Sequence, residues 1–140
     1  MPPRRRSAPA AAVPIVYDAG ALVAADKGDR ALWAQFAAAV ADRRPIIVPS
    51  PVLTQAWRGS ATQARLAKLV AACRVLAPDE HLARHAGVLL GRANTSDAVD
   101  AIVVATAIAL RAAIVTSDLD DIRLLAEAAD SDFQIAIGRI

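Results

Sequence analysis

The sequence predicts an α/β domain with a mainly parallel sheet covered by helices on both faces, three layers in all. Short aliphatic runs such as Ile15-Val16-Tyr17 and Ala113 to Thr116 alternate along the chain with stretches of helical composition. The alternation of single strands with helices favours parallel strands joined by crossovers, which buries both sheet faces. Alanine fills 35 of the 140 positions; it favours helix and buries little area, so helices should pack closely. The length suits one domain, large enough to bury a core without disulfides or a metal staple.

Taken in order, residues 1–13 read as a disordered tail and residues 14–140 as the domain. The opening MPPRRRSAPAAAVP carries a basic run before small apolar residues, but Pro9 and Pro14 break it and it runs straight into a strand. An export signal needs an uninterrupted apolar stretch, so none is expected. Ile15-Val16-Tyr17 is the first strand, followed by Asp18. Gly20 to Lys27 is a short helix, and Asp29 caps a second one to about Ala41. Pro45 to Val48 is a strand, where proline is tolerable only at the start. Ser50 is expected to cap a helix with Pro51 at its first position, running to about Arg58. Gly59 breaks it, and Ala61 to Ala72 is helical again. Arg74-Val75-Leu76 is a strand; Pro78 and Asp79 open a long helix to about Arg92; Gly91 to Ser96 is a loop. Ser96 or Asp97 starts an apolar helix to Arg111, Ala113 to Thr116 is a strand, Leu119 to Ala129 is mostly helix, and Phe133 to Ile137 is a last strand.

Charge is unevenly spread. Residues 43–92 hold eight Lys/Arg against Asp79 and Glu80, whereas residues 93–140 hold eight Asp/Glu against three Arg. A basic middle and an acidic end suit a site that takes metal ions beside a polyanion, and solvated helix faces produce the same pattern. Aromatic residues are only 4%, which argues against a base-stacking sheet. A single cysteine, Cys73, excludes a disulfide framework and a Cys-based zinc site, and points to a reducing cytoplasm. No run of 18 apolar residues offers a membrane span. His81 and His85 stand i, i+4, but HLARH lacks the Glu of HExxH and reads as surface histidines. Trp33 and Trp57 read as packing anchors between helices, Trp57 also as a groove-lining residue, and Cys73 as a buried small residue.

In open α/β sheets the ligand site lies beyond the carboxyl ends of the strands. Asp18 and Asp118 each follow a strand, and Asp97 and Asp100 sit i, i+3 in the first turn of the helix feeding the Asp118 strand. Converging carboxylates repel one another, so such a cluster calls for a divalent cation with oxygen ligands, Mg²⁺ or Mn²⁺, able to assist phosphodiester hydrolysis. Asp97 reads equally well as a helix cap, and Asp118, Asp120 and Asp121 as an acidic turn.

VYDAGALVA at 16–24, VPSPVLTQAWR at 48–58, DAVDAIVVATA at 97–107 and VTSDLDDI at 115–122 resemble, in that order, the four motifs of a PIN domain. Their spacing most resembles the VapC-type toxin ribonucleases of type II toxin–antitoxin modules, over about residues 14 to 140. The resemblance implies a PIN-like α/β/α fold and a Mg²⁺- or Mn²⁺-dependent endoribonuclease acting on RNA, usually a homodimer held inactive by a cognate antitoxin. It implies that Asp18, Asp100 and Asp118 are catalytic and hold metal, with Asp97 and Asp121 as further ligands. It sets Thr116 or Ser117 as the small polar residue beside the fourth acid. The family's second acid, usually Glu, is Gln55 here, which keeps an oxygen acceptor and loses the charge. Gln55, Arg58, Thr116 and Ser117 are then expected to face substrate, with Arg58, Arg65 and Lys68 positioning phosphates. The alternative that Gln55 raises is a weak or silent PIN domain acting as an RNA- or antitoxin-binding module. An Asp18 phosphotransfer enzyme is set aside, because position 20 is Gly where that chemistry wants a second Asp.

Overall fold

A computed structural model describes residues 12–140; residues 1–11, most of the expected tail, lie outside the described residues. The elements follow as β1 (Ile15–Tyr17), α1 (Ala19–Asp26), α2 (Arg30–Ala41), β2 (Ile46–Pro49), α3 (Ser50–Ala56), a 3₁₀ turn (Ala61–Gln63) and α4 (Ala64–Ala71). Then come β3 (Arg74–Leu76), α5 (Glu80–Ala93), α6 (Ala98–Leu110), β4 (Ala113–Thr116), α7 (Leu119–Ala128) and β5 (Ile137–Arg139). All five strands are parallel, in the order β3-β2-β1-β4-β5. Helix α6 lies on β1, β2 and β4 between α5 and α7, and α1 lies on β1 and β4 beside α2, α3 and α4. The three-layer α/β/α arrangement read from the sequence is therefore the one the chain adopts.

The topology locates a site. After β1 the chain adds β2 and β3 on one side, then crosses over to add β4 and β5 on the other. The switch point falls between β1 and β4, where carboxyl ends part and a crevice opens. Tyr17 pairs with Val115, so the two strands finish level and Asp18 and Thr116 become neighbours. The core is continuous through the sheet: every residue of β1 and β2 is buried, as are Leu22, Leu66, Leu69, Leu89, Ile122 and Leu125 from the helices. Helix α6 is apolar nearly all round and buries Ala101, Val103, Val104, Ala105 and Ala107, its alanines letting it approach the sheet closely. Trp33 joins α2 to α1 by an Nε1–H bond to the Ala25 carbonyl (3.1 Å) and meets Phe36 edge-on. The Tyr17 hydroxyl donates to Gln35 Oε1, tying β1 to the same helix.

Several boundaries differ from the sequence reading. The last strand is Ile137–Arg139 and not Phe133–Ile137, because Ile114 pairs with Ile137 and leaves the preceding residues as an irregular approach to the sheet edge. Phe133 is instead held under the Arg111 guanidinium, 5.0 Å from the ring centre. Helix α5 passes through Gly91 to Ala93 and ends on Asn94 in the left-handed conformation, which shortens the expected loop. Ser50 is the first residue of α3 and makes no side-chain cap, since Pro49 takes the cap position. That helix stops at Ala56, before Arg58, and the next helical stretch opens with a 3₁₀ turn. Among the described residues no single helix is long and apolar enough to cross a membrane.

Candidate active site

Asp18 directly follows β1 and caps α1. One carboxylate oxygen accepts from the Ala21 N–H (3.1 Å) and the other from the Thr116 hydroxyl. The side chain is buried, with only 4% of the residue exposed, and burial raises its pKa against the opposing pull of those hydrogen bonds. Thr116, the last residue of β4, is wholly buried; the same hydroxyl oxygen that donates to Asp18 accepts from the Asp118 N–H (2.8 Å). It thereby fixes both strand-end carboxylates from behind. Thr116 was expected to face substrate, yet its burial leaves it facing the two Asp residues; Ser117 is the exposed member of the pair.

From the other side, Asp97 caps α6 through a bond from the Asp100 N–H (3.0 Å), the helix-cap reading of that residue. Asp100, in the first turn, points inward: its Oδ2 is buried and has no hydrogen-bond partner. Its pKa is pushed up to about 7, first by burial and then by the carboxylates of Asp97, Asp118 and Asp18. Asp118 begins α7 without using its side chain as a cap, and its pKa is raised by desolvation and by the neighbouring Asp121 and Asp18. Carboxylate oxygens of Asp100, Asp118 and Asp121 lie within 4.8 Å of one another. A buried, partnerless carboxylate oxygen beside two more carboxylates is costly without a cation, and all the donors are hard oxygens. The residues therefore fit a divalent metal ion that takes oxygen ligands.

The family model of the PIN domain matches residues 15–128, which includes every one of these carboxylates. The chain belongs to the PIN-domain family. PIN domains are generally nucleases that use divalent metals, and an acidic cluster is present in this chain. Among solved structures, this PIN domain is similar to VapBC2 from Rickettsia felis bound to a DNA fragment from their promoter. That match has a TM-score of 0.65 and 15% identity, covering 90% of this chain and 98% of that one. It is similar also to PAE2754 from Pyrobaculum aerophilum, with a TM-score of 0.57 and 22% identity over 90% of this chain and 83% of that one. No curated protein matches the chain.

The remaining sequence candidates are dispersed. Gln55 is exposed on α3, and among the described residues its side chain makes no hydrogen bond. The Arg58 guanidinium folds back onto the carbonyls of Thr54, Gln55 and Trp57 (3.3, 3.1 and 2.8 Å), so it caps the end of α3 while staying exposed. Arg65 and Lys68 are exposed on α4. His81 is exposed and His85 half-buried on α5, and neither belongs to a metal-binding group among the described residues. The Cys73 thiol donates to the Leu69 carbonyl (3.2 Å) and burial pushes its pKa up to about 12, which leaves it protonated and unreactive.

Two contributors escape sequence reasoning. Gly20 packs against Ser117: a Cβ there would lie 1.8 Å from Ser117 Oγ and 2.7 Å from its Cβ. Only glycine lets the α1 start approach the β4–α7 turn. The signal is faint, a Gly two residues after the first Asp. Gln63, outside the four motifs, is buried and shapes the turn after α3. Thr116→Val, nearly isosteric, strips Asp18 of a donor and the Asp118 N–H of its acceptor. We expect a stability loss of about 1–3 kcal/mol in urea titration and weaker metal binding; unchanged values in both measurements would remove Thr116 from the site.

Proposed function

We propose that this PIN domain is a Mg²⁺- or Mn²⁺-dependent endoribonuclease, the toxin of a VapC-type toxin–antitoxin pair, acting on RNA in the cytoplasm as a homodimer restrained by a cognate antitoxin. The observation that carries the nuclease reading is the buried, partnerless oxygen of Asp100 among the other carboxylates. The fold likeness to VapBC2 supports the toxin–antitoxin assignment.

Asp100, Asp118 and Asp121 would hold the ion, with Asp18 alongside. When bound, the ion supplies Lewis acidity and charge neutralisation for phosphodiester hydrolysis. The chain does the positioning. Thr116 keeps Asp18 and Asp118 in place, the start of α6 presents Asp100, and a bound cation would favour the ionised Asp100 that burial and the neighbouring carboxylates disfavour. Arg58, just after α3, and Arg65 and Lys68 on α4 attract the RNA backbone, an attraction that weakens as salt rises. The test is cleavage of a tRNA and rRNA panel with Mg²⁺ or Mn²⁺ against chelator. Cleavage that needs the metal supports the reading; neither cleavage nor calorimetric metal binding would sink it.

Gln55 favours a second reading, a silent PIN domain that binds RNA or antitoxin. The resemblance implies that the family's usual carboxylate at this position adds charge to the metal site. If the site is damaged, Gln55→Glu raises metal-dependent cleavage roughly tenfold or more, equivalent to at least about 1.4 kcal/mol. Equal rates in both proteins, with the parent active, would show that the fourth carboxylate is dispensable.

A further inference from the structure

The turn after α3 presents an aromatic residue to solvent on a rigid base. Trp57 is 41% exposed, the one aromatic among the exposed large hydrophobic residues. It stands at the end of α3 with extended backbone, followed by Arg58 and by Gly59 in the left-handed conformation (φ +74°). A Cβ on Gly59 would come within 3.7 Å of the indole Nε1, so the ring edge lies close over that glycine. Gln63, only 6% exposed, locks the turn from beneath. Its Oε1 accepts from the N–H groups of Arg58 (2.7 Å) and Gly59 (3.2 Å), and its Nε2 donates to the Ala56 carbonyl (2.9 Å) and to Asp26 Oδ2 (3.4 Å). A buried amide with all its hydrogen-bonding capacity used makes the turn rigid.

Apart from Asp26, which bonds to Gln63, the flanking chain is cationic. From Arg43 to Pro78 the chain contains six Lys/Arg and no carboxylate. Arg58, Arg65 and Lys68 are exposed there, and the one ion pair among the described residues is Arg84 with Glu80, elsewhere. Asp26 ends α1 and Asp18 caps its start, and eight helical residues span about 12 Å. The locked turn is thus within a few nucleotides of the acidic cluster. An exposed indole with a guanidinium beside it, in a cationic field, matches the stacking chemistry by which unpaired bases are held.

We propose that Trp57, positioned by Gln63, is a stacking platform for an unpaired base of the RNA substrate, with Arg58, Arg65 and Lys68 following the adjoining phosphates. This rests on the ribonuclease reading above and adds the residue that holds the base and the residue that positions it.

The test uses the full chain carrying Asp100→Asn to keep RNA uncut, with short single-stranded oligoribonucleotides and a duplex of equal length as probes. Trp57→Ala is expected to weaken single-strand binding roughly 5- to 100-fold and to leave duplex binding nearly unchanged. Trp57→Phe should retain most of the affinity while abolishing the quenching of indole fluorescence that single strands produce. Gln63→Leu should reproduce the loss, with little more in the Trp57→Ala/Gln63→Leu double variant; the two Trp57 variants decide the matter if Gln63→Leu does not fold. Equal single-strand affinity of the parent and Trp57→Ala overturns the platform while leaving the nuclease intact. Lost self-association or antitoxin capture with unchanged RNA affinity also overturns it, assigning Trp57 to a protein interface. A parent chain that neither binds nor cleaves RNA removes the ribonuclease reading itself.

Discussion

Asp100→Asn protein is expected to lose metal-dependent cleavage by about a thousandfold, since several kcal/mol of transition-state stabilisation depend on holding the ion. The same substitution should stabilise the metal-free fold at pH 8, because it removes a charge that burial and three neighbouring carboxylates disfavour. The pH dependence follows from the sign of the shift. The folded pKa is about 7 against an ordinary 3.8, so between these values the folded chain keeps a proton that the unfolded chain releases. The stability from that proton is complete below the ordinary value, declines as pH rises through the window, and is gone above the folded value. Metal-free parent protein should therefore melt several degrees lower at pH 8 than at pH 5, and Mn²⁺ should restore the difference at pH 8. Asp100→Asn should flatten both effects. Equal pH slopes in parent and variant would show that Asp100 is not the group responsible.

Gly20→Ala is expected to disable the site through packing alone. The added methyl would meet the Ser117 hydroxyl at 1.8 Å and its Cβ at 2.7 Å. Rotating the hydroxyl relieves the first contact but not the second, so the start of α1 and the β4–α7 turn must separate. Overpacking of this kind costs about 1–3 kcal/mol. Its local effect is larger, because Asp18 lies two residues before Gly20 and Asp118 directly follows Ser117. Cleavage should drop at least about tenfold even where the protein remains folded, because misplaced catalytic groups lose rate steeply. Ser117→Gly removes the obstructing atoms, so the double variant should recover both stability and cleavage. Additive losses in that double variant would place the damage elsewhere.

The layered architecture and the acidic residues of the candidate site were legible because they rest on local chemistry. Apolar strand residues, capping aspartates and helix-forming alanine announce a βα chain, and Asp18 and Asp118 at strand ends follow from its topology. Asp97 reads both as ligand and as cap; the hydrogen bond from the Asp100 N–H shows the cap, which occupies one of its two carboxylate oxygens. The last strand was misplaced because Phe133 and Ile135 have strand character, whereas pairing is set by reach to the β4 edge and by the contact of Phe133 with Arg111. Helix α5 ran past Gly91 because one glycine costs only about 1 kcal/mol in a helix packed along its length.

By itself the sequence determined the class of fold, the order of its elements and the acidic residues available for metal chemistry, since periodicity, capping and residue type are local properties. Only the tertiary structure decided which of those acids converge, that Thr116 is buried behind them, that Gly20 must lack a side chain and that Gln63 locks Trp57 in the open. Each of these depends on atoms brought together from distant parts of the chain, Asp18 with Thr116 or Ala56 with Asp26 and Gln63. Close approach across such separations is fixed by packing of the whole domain, and short stretches of sequence carry almost no record of it.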